Sequence, residues 1–329
     1  MTNKFKVVLT DYVWESIEIE KNILGDVADI VALQVADTNS FFPESENCDA
    51  LLNTYAGPIT EEVMLKMPNC KIIARYGIGV DTIDLKAATK AGIIVTNNPT
   101  YCIEEVAEHT IAMLLSSARK ISFYDRTVRN GEWAVPPGKP IYRIAGSTLG
   151  LIGYGNIARR VATAAKGLEM NVIYSDPFVE EGQFETPGKK VEMSELLANS
   201  DFICIHAPLI DQTRYMINEN AFSQMKNSAI VINCSRGPII HTEDLINALD
   251  NNKISGCALD TTDPEPLPEK HALRNRENVI INPHVAWYSE QAMVRLQEGA
   301  PNEVLMALTG KWPNNVVNKE VKNNNRAGI

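Results

Sequence analysis

The chain has 329 residues, 45% of them hydrophobic, with a formal charge of -10 and a pI near 5.1. Such a length and composition can bury a substantial core and suffice for two ordinary domains. The acidic balance repels phosphate backbones and anionic lipid heads, which argues against a surface-driven role on nucleic acid or membrane while leaving room for one basic pocket that takes a small anion.

The six cysteines (48, 70, 102, 204, 234 and 257) are scattered, without a CxxC pair, and several sit in apolar runs such as DFICIHAP and AIVINCS. They read as buried free thiols in a reducing compartment, with no metal site expected. The opening MTNKFKVVLTDY carries too short an apolar run for a signal peptide, and no stretch approaches ~18 apolar residues, so a cytoplasmic protein is expected.

In chain order, short β-branched runs alternate with segments of helical period. KVVLT, DALLN, KIIARYG and GIIVTN come first, then TLGLIG, NVIYSD, DFICIHA, AIVINCS, GCALD and NVIINPH. Strands separated by helices predict an α/β protein with parallel sheets in two sets. Between the sets, residues 103–130 carry apolar side chains at helical spacing. One long helix is predicted there, a candidate face for a homodimer. The stretch AVPPGKP breaks the pattern as a loop, residues 289–308 read as a further helix, and the polar tail NVVNKEVKNNNRAGI reads as frayed.

The segment STLGLIGYGNIARRVATAAKGLEMNVIYSDPF has the order strand, glycine-rich turn, helix, strand, acidic residue. Gly153, Gly155 and Ala158 fit GxGxxA: the first glycine permits the tight turn, the second lets backbone approach a pyrophosphate, and the small third residue lets helix pack on strand. Helix-terminal amides then face the phosphates. Asp176 ends the next strand, where a carboxylate accepts hydrogen bonds from ribose hydroxyls and repels a 2'-phosphate. NAD is therefore expected over NADP.

Three residues in the second half suit the reduction of a 2-oxo acid. This chemistry needs a cation for the carboxylate and carbonyl, and an acid to protonate the oxygen. Arg236 follows the strand AIVINCS, and His284 follows NVIINP; both stand at carboxyl-end strand tips, where open α/β sheets bind ligands. Glu265, in the Pro-rich DTTDPEPLP, is within sequence reach to orient the imidazole and favour its protonated form. Each residue alone is more often a turn or salt-bridge residue than a catalyst. The remaining histidines, His109, His206, His241 and His271, are assigned structural roles, His206 closest to the cofactor site.

At these residues the chain resembles the D-isomer-specific 2-hydroxyacid dehydrogenase family. ARYGIGVDTIDL, the AEHT helix, GLIGYGNIA, INCSRG, ALDTTDPEP and NPHVAWYSEQA stand in the family's order from about residue 71 to 295. PHVAWYSEQA and TGKWPNNVVNKE resemble the C-terminal-binding protein branch within it. The resemblance implies Arg236, Glu265 and His284 as the catalytic trio. It implies substrate contacts at Arg75, Ile78 and Gly79 with Trp287 as a pocket wall, and Tyr55 and Tyr76 are read as further walls. It adds cofactor contacts at Asn156, Ile157, Ala207, Pro208, Thr213, Cys234, Ser235 and Asp260, besides Arg236 and His284. It also implies two Rossmann-like or flavodoxin-like domains, an NAD-binding domain over 101–286 inserted into a discontinuous substrate domain of 1–100 plus 287–329, closing on the ligand.

The loop NTYAGPITEE has no Arg or Lys to pair a substrate phosphate, so a small non-phosphorylated 2-oxo or 2-hydroxy acid is expected. Formate-type members carry Gln where Glu265 stands. Glyoxylate, hydroxypyruvate and a methylthio-oxobutyrate-like acid stay open, because one methylene changes pocket affinity by only about 1 to 3 kcal/mol. A rival reading from the same resemblance is an NAD(H)-sensing, peptide-binding corepressor-like module.

Overall fold

The computed structural model describes residues 4–329. It divides into two compact units: one runs as far as Cys102 and takes in Ser289–Ile329, and the other is Ile103–Tyr288. The divisions fall at Cys102 and Tyr288 rather than at 100 and 286. Tyr101 and Cys102 are buried, and Arg295 holds the Tyr101 carbonyl within the first unit.

The first unit carries strands β1 (Phe5–Leu9), β2 (Ala28–Ala32), β3 (Ala50–Asn53), β4 (Ile72–Arg75) and β5 (Ile94–Thr96). They pair in the order β2-β1-β3-β4-β5, all parallel. A parallel sheet covered on both faces needs near-continuous apolar strands, and β3, β4 and β5 are buried at every residue. The helix Glu290–Leu308 begins on a Ser289 side-chain cap, with the Oγ accepting the Ala292 amide at 2.9 Å.

The tail is docked, in contrast to the fraying expected of its composition. Val316 bridges Thr96, and Val317 donates its amide to the Val95 carbonyl at 2.8 Å. Asn318 inserts its amide side chain at β5, accepting from Val95 N at 2.8 Å and donating to the Ile93 carbonyl at 2.9 Å. Val321 is wholly buried. Polar residues here satisfy the edge of a sheet instead of meeting water.

The second unit carries β6 (Thr148–Ile152), β7 (Asn171–Ser175), β8 (Lys189–Lys190), β9 (Phe202–Ile205), β10 (Ile230–Asn233), β11 (Gly256–Leu259) and β12 (Val279–Ile281). Their order is β12-β11-β10-β9-β6-β7-β8, every pairing parallel. The order reverses between β6 and β9, so the carboxyl ends of those two strands flank the topological switch point where doubly wound sheets bind ligands. The single helix expected over 103–130 is two: Ile103–Arg119 and Ile121–Arg129, broken at Lys120, whose φ is +53°. A left-handed residue ends the first helix's hydrogen-bond ladder and redirects the chain.

Candidate active site

Three strand tips of the second unit converge. After β10, Asn233 makes the turn: its Oδ1 accepts the Ser235 amide at 3.0 Å and its Nδ2 donates to the Arg236 carbonyl at 2.9 Å. The Ser235 hydroxyl donates to the Ala207 carbonyl, tying this tip to the one after β9. Arg236 Nη1 donates to the Ser235 carbonyl at 2.8 Å. Gly237 follows because a β-carbon there would overlap the Thr262 carbonyl, so only glycine lets the Arg236 turn lie against the loop after β11.

That loop brings Glu265 to His284. The carboxylate Oε1 stands 2.6 Å from His284 Nδ1, while Oε2 accepts the Thr262 amide at 3.4 Å. Burial pushes the Glu265 carboxyl up, but the His284 hydrogen bond and charge, the Thr262 amide and Arg236 outweigh it and hold the group below its ordinary value. His284 sits at φ +54° after β12. Its amide donates to the Asp260 carbonyl, and the Asp260 carboxylate takes the amides of Val285 and Ala286. The three expected residues thus stand on strand tips of one unit, with the Glu265 carboxylate on His284 Nδ1 and Arg236 near enough to lower that carboxyl.

Asp260 is almost wholly buried and serves the His284 turn; His109 Nε2 lies 3.6 Å from its Oδ1. His109 is therefore drawn into the site's support. Trp287 is half-buried beside the turn, its ring edge-on to Tyr288 at 5.7 Å.

The residues after β6 and β9 fit a dinucleotide. Gly153 has φ +85°, and a β-carbon would come 2.9 Å from the Ala207 amide nitrogen, so the two switch-point turns touch through it. Gly155 precedes the helix Asn156–Gly167 with no side-chain cap, and open space lies where its β-carbon would be. First-turn amides are thereby left for a phosphate. Asp176 is fixed by the amides of Tyr154 and Phe178, both donating at 2.8 Å. Arg159, on the same helix, is engaged by the Phe184 ring at 3.6 Å and by Asn156. Thr213 Oγ1 donates to the Pro208 carbonyl at 2.6 Å and accepts the Ile210 amide, closing the 208–213 loop. His206 follows β9; burial pushes its imidazole down to about 4, so the ring is neutral, and Nε2 has no hydrogen-bond partner. Cys234 packs its sulphur on Met113 at 3.6 Å, and burial lifts the thiol to about 12. It is a packing thiol.

In the first unit, Tyr55 and Arg75 stand at the carboxyl ends of β3 and β4, the guanidinium 5.5 Å from the Tyr55 ring. Asn97 Nδ2 donates to the Ile78 carbonyl at 2.7 Å, which fixes the turn leading to Gly79. Tyr76 is a correction: its ring is buried, its hydroxyl donates to Glu20 at 3.3 Å, and it packs edge-on to Trp14 at 4.8 Å. It is core rather than a pocket wall. Asp11 was not singled out by the sequence, although its carboxylate accepts the Thr54 and Tyr55 amides at 3.0 and 2.6 Å and so sets the turn after β3. The one signal was its place directly after the strand KVVLT.

Among the described residues, no group of three or more His, Cys, Asp or Glu is placed to hold a metal, and no helix is long and apolar enough to cross a membrane.

The description "D-isomer specific 2-hydroxyacid dehydrogenase, NAD binding domain" matches residues 111–286. A glyoxylate reductase of Korarchaeum cryptofilum is 38% identical over 280 residues, spanning 84% of each chain. A D-3-phosphoglycerate dehydrogenase of Methanocaldococcus jannaschii is 34% identical over 315 residues, which are 95% of this chain and 59% of that protein. A D-lactate dehydrogenase of Aquifex aeolicus, solved with NAD and lactic acid, superposes with a TM-score of 0.86 at 29% identity, covering 98% of this chain and 99% of the other.

Proposed function

Since the chain belongs to the D-isomer-specific 2-hydroxyacid dehydrogenase family and is an NAD-dependent oxidoreductase, we propose that it reduces a small, non-phosphorylated 2-oxo acid to the D-2-hydroxy acid, with glyoxylate and hydroxypyruvate the first candidates. The observation that carries this reading is the 2.6 Å contact between His284 Nδ1 and Glu265 Oε1 beside the Arg236 strand tip. Bound NADH supplies the hydride to the carbonyl carbon. Arg236 holds the carboxylate and polarises the carbonyl with paired N–H donors. Protonated His284 gives its Nε2 proton to the oxygen as negative charge develops there, and Glu265 stabilises the imidazolium and fixes its ring plane. The absence of Arg and Lys from NTYAGPITEE supports a substrate without phosphate.

The cofactor reading rests on Gly153, Gly155 and Asp176. The Asp176 carboxylate accepts from ribose hydroxyls and repels a 2'-phosphate, and Pro177 and Phe178 beside it bring no compensating cation. We also assign a second copy of this chain as partner, through the 103–130 region. Ile121, Val128, Trp133, Val135 and Tyr142 are all exposed on or just after it, an apolar concentration that a monomer would leave in water.

The test is steady-state NADH oxidation with glyoxylate, hydroxypyruvate, 3-phosphohydroxypyruvate, pyruvate and a branched 2-oxo acid, beside a His284→Ala control. Turnover of glyoxylate or hydroxypyruvate, with D-glycerate formed from the latter, is expected. Rates no higher than those of the control for every acid would sink the enzymatic reading.

A further inference from the structure

Glu265 lies on an exposed segment: residues 264, 265 and 266 all face solvent, and the Glu265 side chain is 41% exposed. Apolar burial therefore cannot fix the carboxylate that meets His284. Hydrogen bonds supply the constraint: the Thr262 amide to Glu265 Oε2 at 3.4 Å, Thr262 Oγ1 to the Pro264 carbonyl at 2.9 Å, and two more to Asp263. The Tyr215 hydroxyl donates to Asp263 Oδ2 at 2.9 Å, and Thr242 Oγ1 donates to the Asp263 carbonyl at 2.8 Å. Tyr215 is itself held, its amide donating to the Pro238 carbonyl at 2.8 Å and its ring edge-on to His241 at 5.2 Å, with the Arg214 guanidinium 5.7 Å from the ring.

Its backbone makes the choice of tyrosine informative. Tyr215 has φ +54°, a region that disfavours a bulky side chain and suits Gly or Asn. Backbone conformation does not explain a tyrosine here. The hydroxyl on Asp263 does.

We propose that Tyr215 is a positioning residue for Glu265, reaching across 48 residues of sequence to pin Asp263 and so keep the neighbouring carboxylate on His284 Nδ1. This rests on the assignment of Glu265 and His284 to proton transfer. Loss of the hydroxyl frees the 263–266 segment, lowers the fraction of molecules with Glu265 in place, and weakens support for the imidazolium without touching the cofactor turns.

Tyr215→Phe in the full-length protein removes one oxygen. Its kcat for reduction should fall roughly three- to tenfold with an unchanged KM for NADH. In a Glu265→Gln background the same change should cost nothing further, since the two act through one group. Asp263→Ala should reproduce the effect. Independently of turnover, hydrogen exchange at the Thr262 amide, which donates to Glu265 Oε2, should rise about tenfold in Tyr215→Phe. Wild-type exchange, a wild-type kcat, or an equal loss in the Glu265→Gln background would each overturn the proposal. Absence of turnover by the wild type would instead count against the reaction, with the exchange measurement still deciding the role of Tyr215.

Discussion

Asp260 accepts the His284 amide on its own carbonyl at 2.8 Å, and its two carboxylate oxygens take the next two amides at 2.9 Å each. Three consecutive amides thus point at one buried residue, which forces His284 to φ +54° and sets the direction of its imidazole. Asp260→Asn keeps the volume but replaces one acceptor by a donor. It should cost about 1 to 3 kcal/mol of stability through an unsatisfied amide and lower kcat at least tenfold. Melting and kcat measured on the same preparation check this; a lowered Tm with full kcat would show that the turn serves folding alone.

The Glu265 pair has a pH signature whose sign follows from its direction of shift. The folded carboxyl is held below its ordinary 4.5. Its contribution is therefore present above that value and is lost as pH falls through the lower folded one. Glu265→Gln removes the pair at every pH, so the stability gap between wild type and variant should exist at neutral pH and close in acid, as pH falls through the lowered folded value. With the side chain 41% exposed, the gap should be small, under about 1 kcal/mol. Catalysis should respond more strongly. Without the carboxylate the imidazole loses the partner that orients it, and kcat for reduction should fall at least tenfold. Tm and kcat profiles that coincide with wild type would leave Glu265 as an ordinary loop residue.

Asp176 is positioned by two amides before any ligand arrives, so little ordering remains to be done when ribose hydroxyls bind. Asp176→Ala should weaken NADH binding roughly tenfold or more, the loss of hydrogen bonds to a charged group, and should narrow the preference over NADPH. Fluorescence titration with both nucleotides reads this directly. Equal loss for NADH and NADPH would remove the charge argument for selectivity.

What the sequence made legible was local or periodic. The apolar runs marked β1, β3 to β7 and β9 to β12 but not β2 or β8, and the spacing of Gly153, Gly155 and Ala158 placed the turn at the switch point. Arg236, Glu265 and His284 stood out because each follows a strand. Illegible features depend on partners distant in the chain. Nothing in ARKISF announces that Lys120 adopts φ +53°. Asn318 looks like one more polar tail residue until Val95, 223 residues earlier, is seen to donate to it. Tyr76 follows a strand just as Arg236 nearly does, but its ring turns inward to Trp14 and Glu20, which no periodicity encodes.

Trp133 is 90% exposed, more than any other large apolar side chain in this region. If a second copy covers it, Trp133→Ser should raise the dissociation constant of the dimer about 30-fold or more, as loss of a central aromatic anchor does. Sedimentation velocity across micromolar concentrations should show wild-type dimers and dissociating variant. A monomeric wild type at every concentration would dismiss the partner assignment.

Glu20 is fully buried in the first unit, with Tyr76, Gln297 and Trp14 at its carboxyl. Burial raises its pKa above the ordinary 4.5 more than those neighbours lower it, so the folded state favours the neutral acid. For a raised folded value, the stabilising contribution is complete below the unfolded pKa and fades as pH climbs through the folded one. At pH 7, above the unfolded value, burying this carboxyl is therefore a cost, and Glu20→Gln, which keeps the shape and does not titrate, should stabilise the protein by about 1 kcal/mol, a Tm rise of roughly 2 °C. At pH 4 the acid is protonated in wild type and the gain should vanish. Thermal melts of both proteins across pH 4 to 8 decide it: a gain that persists in acid would point to packing rather than charge, and a loss at neutral pH would mean that the carboxylate is used as such.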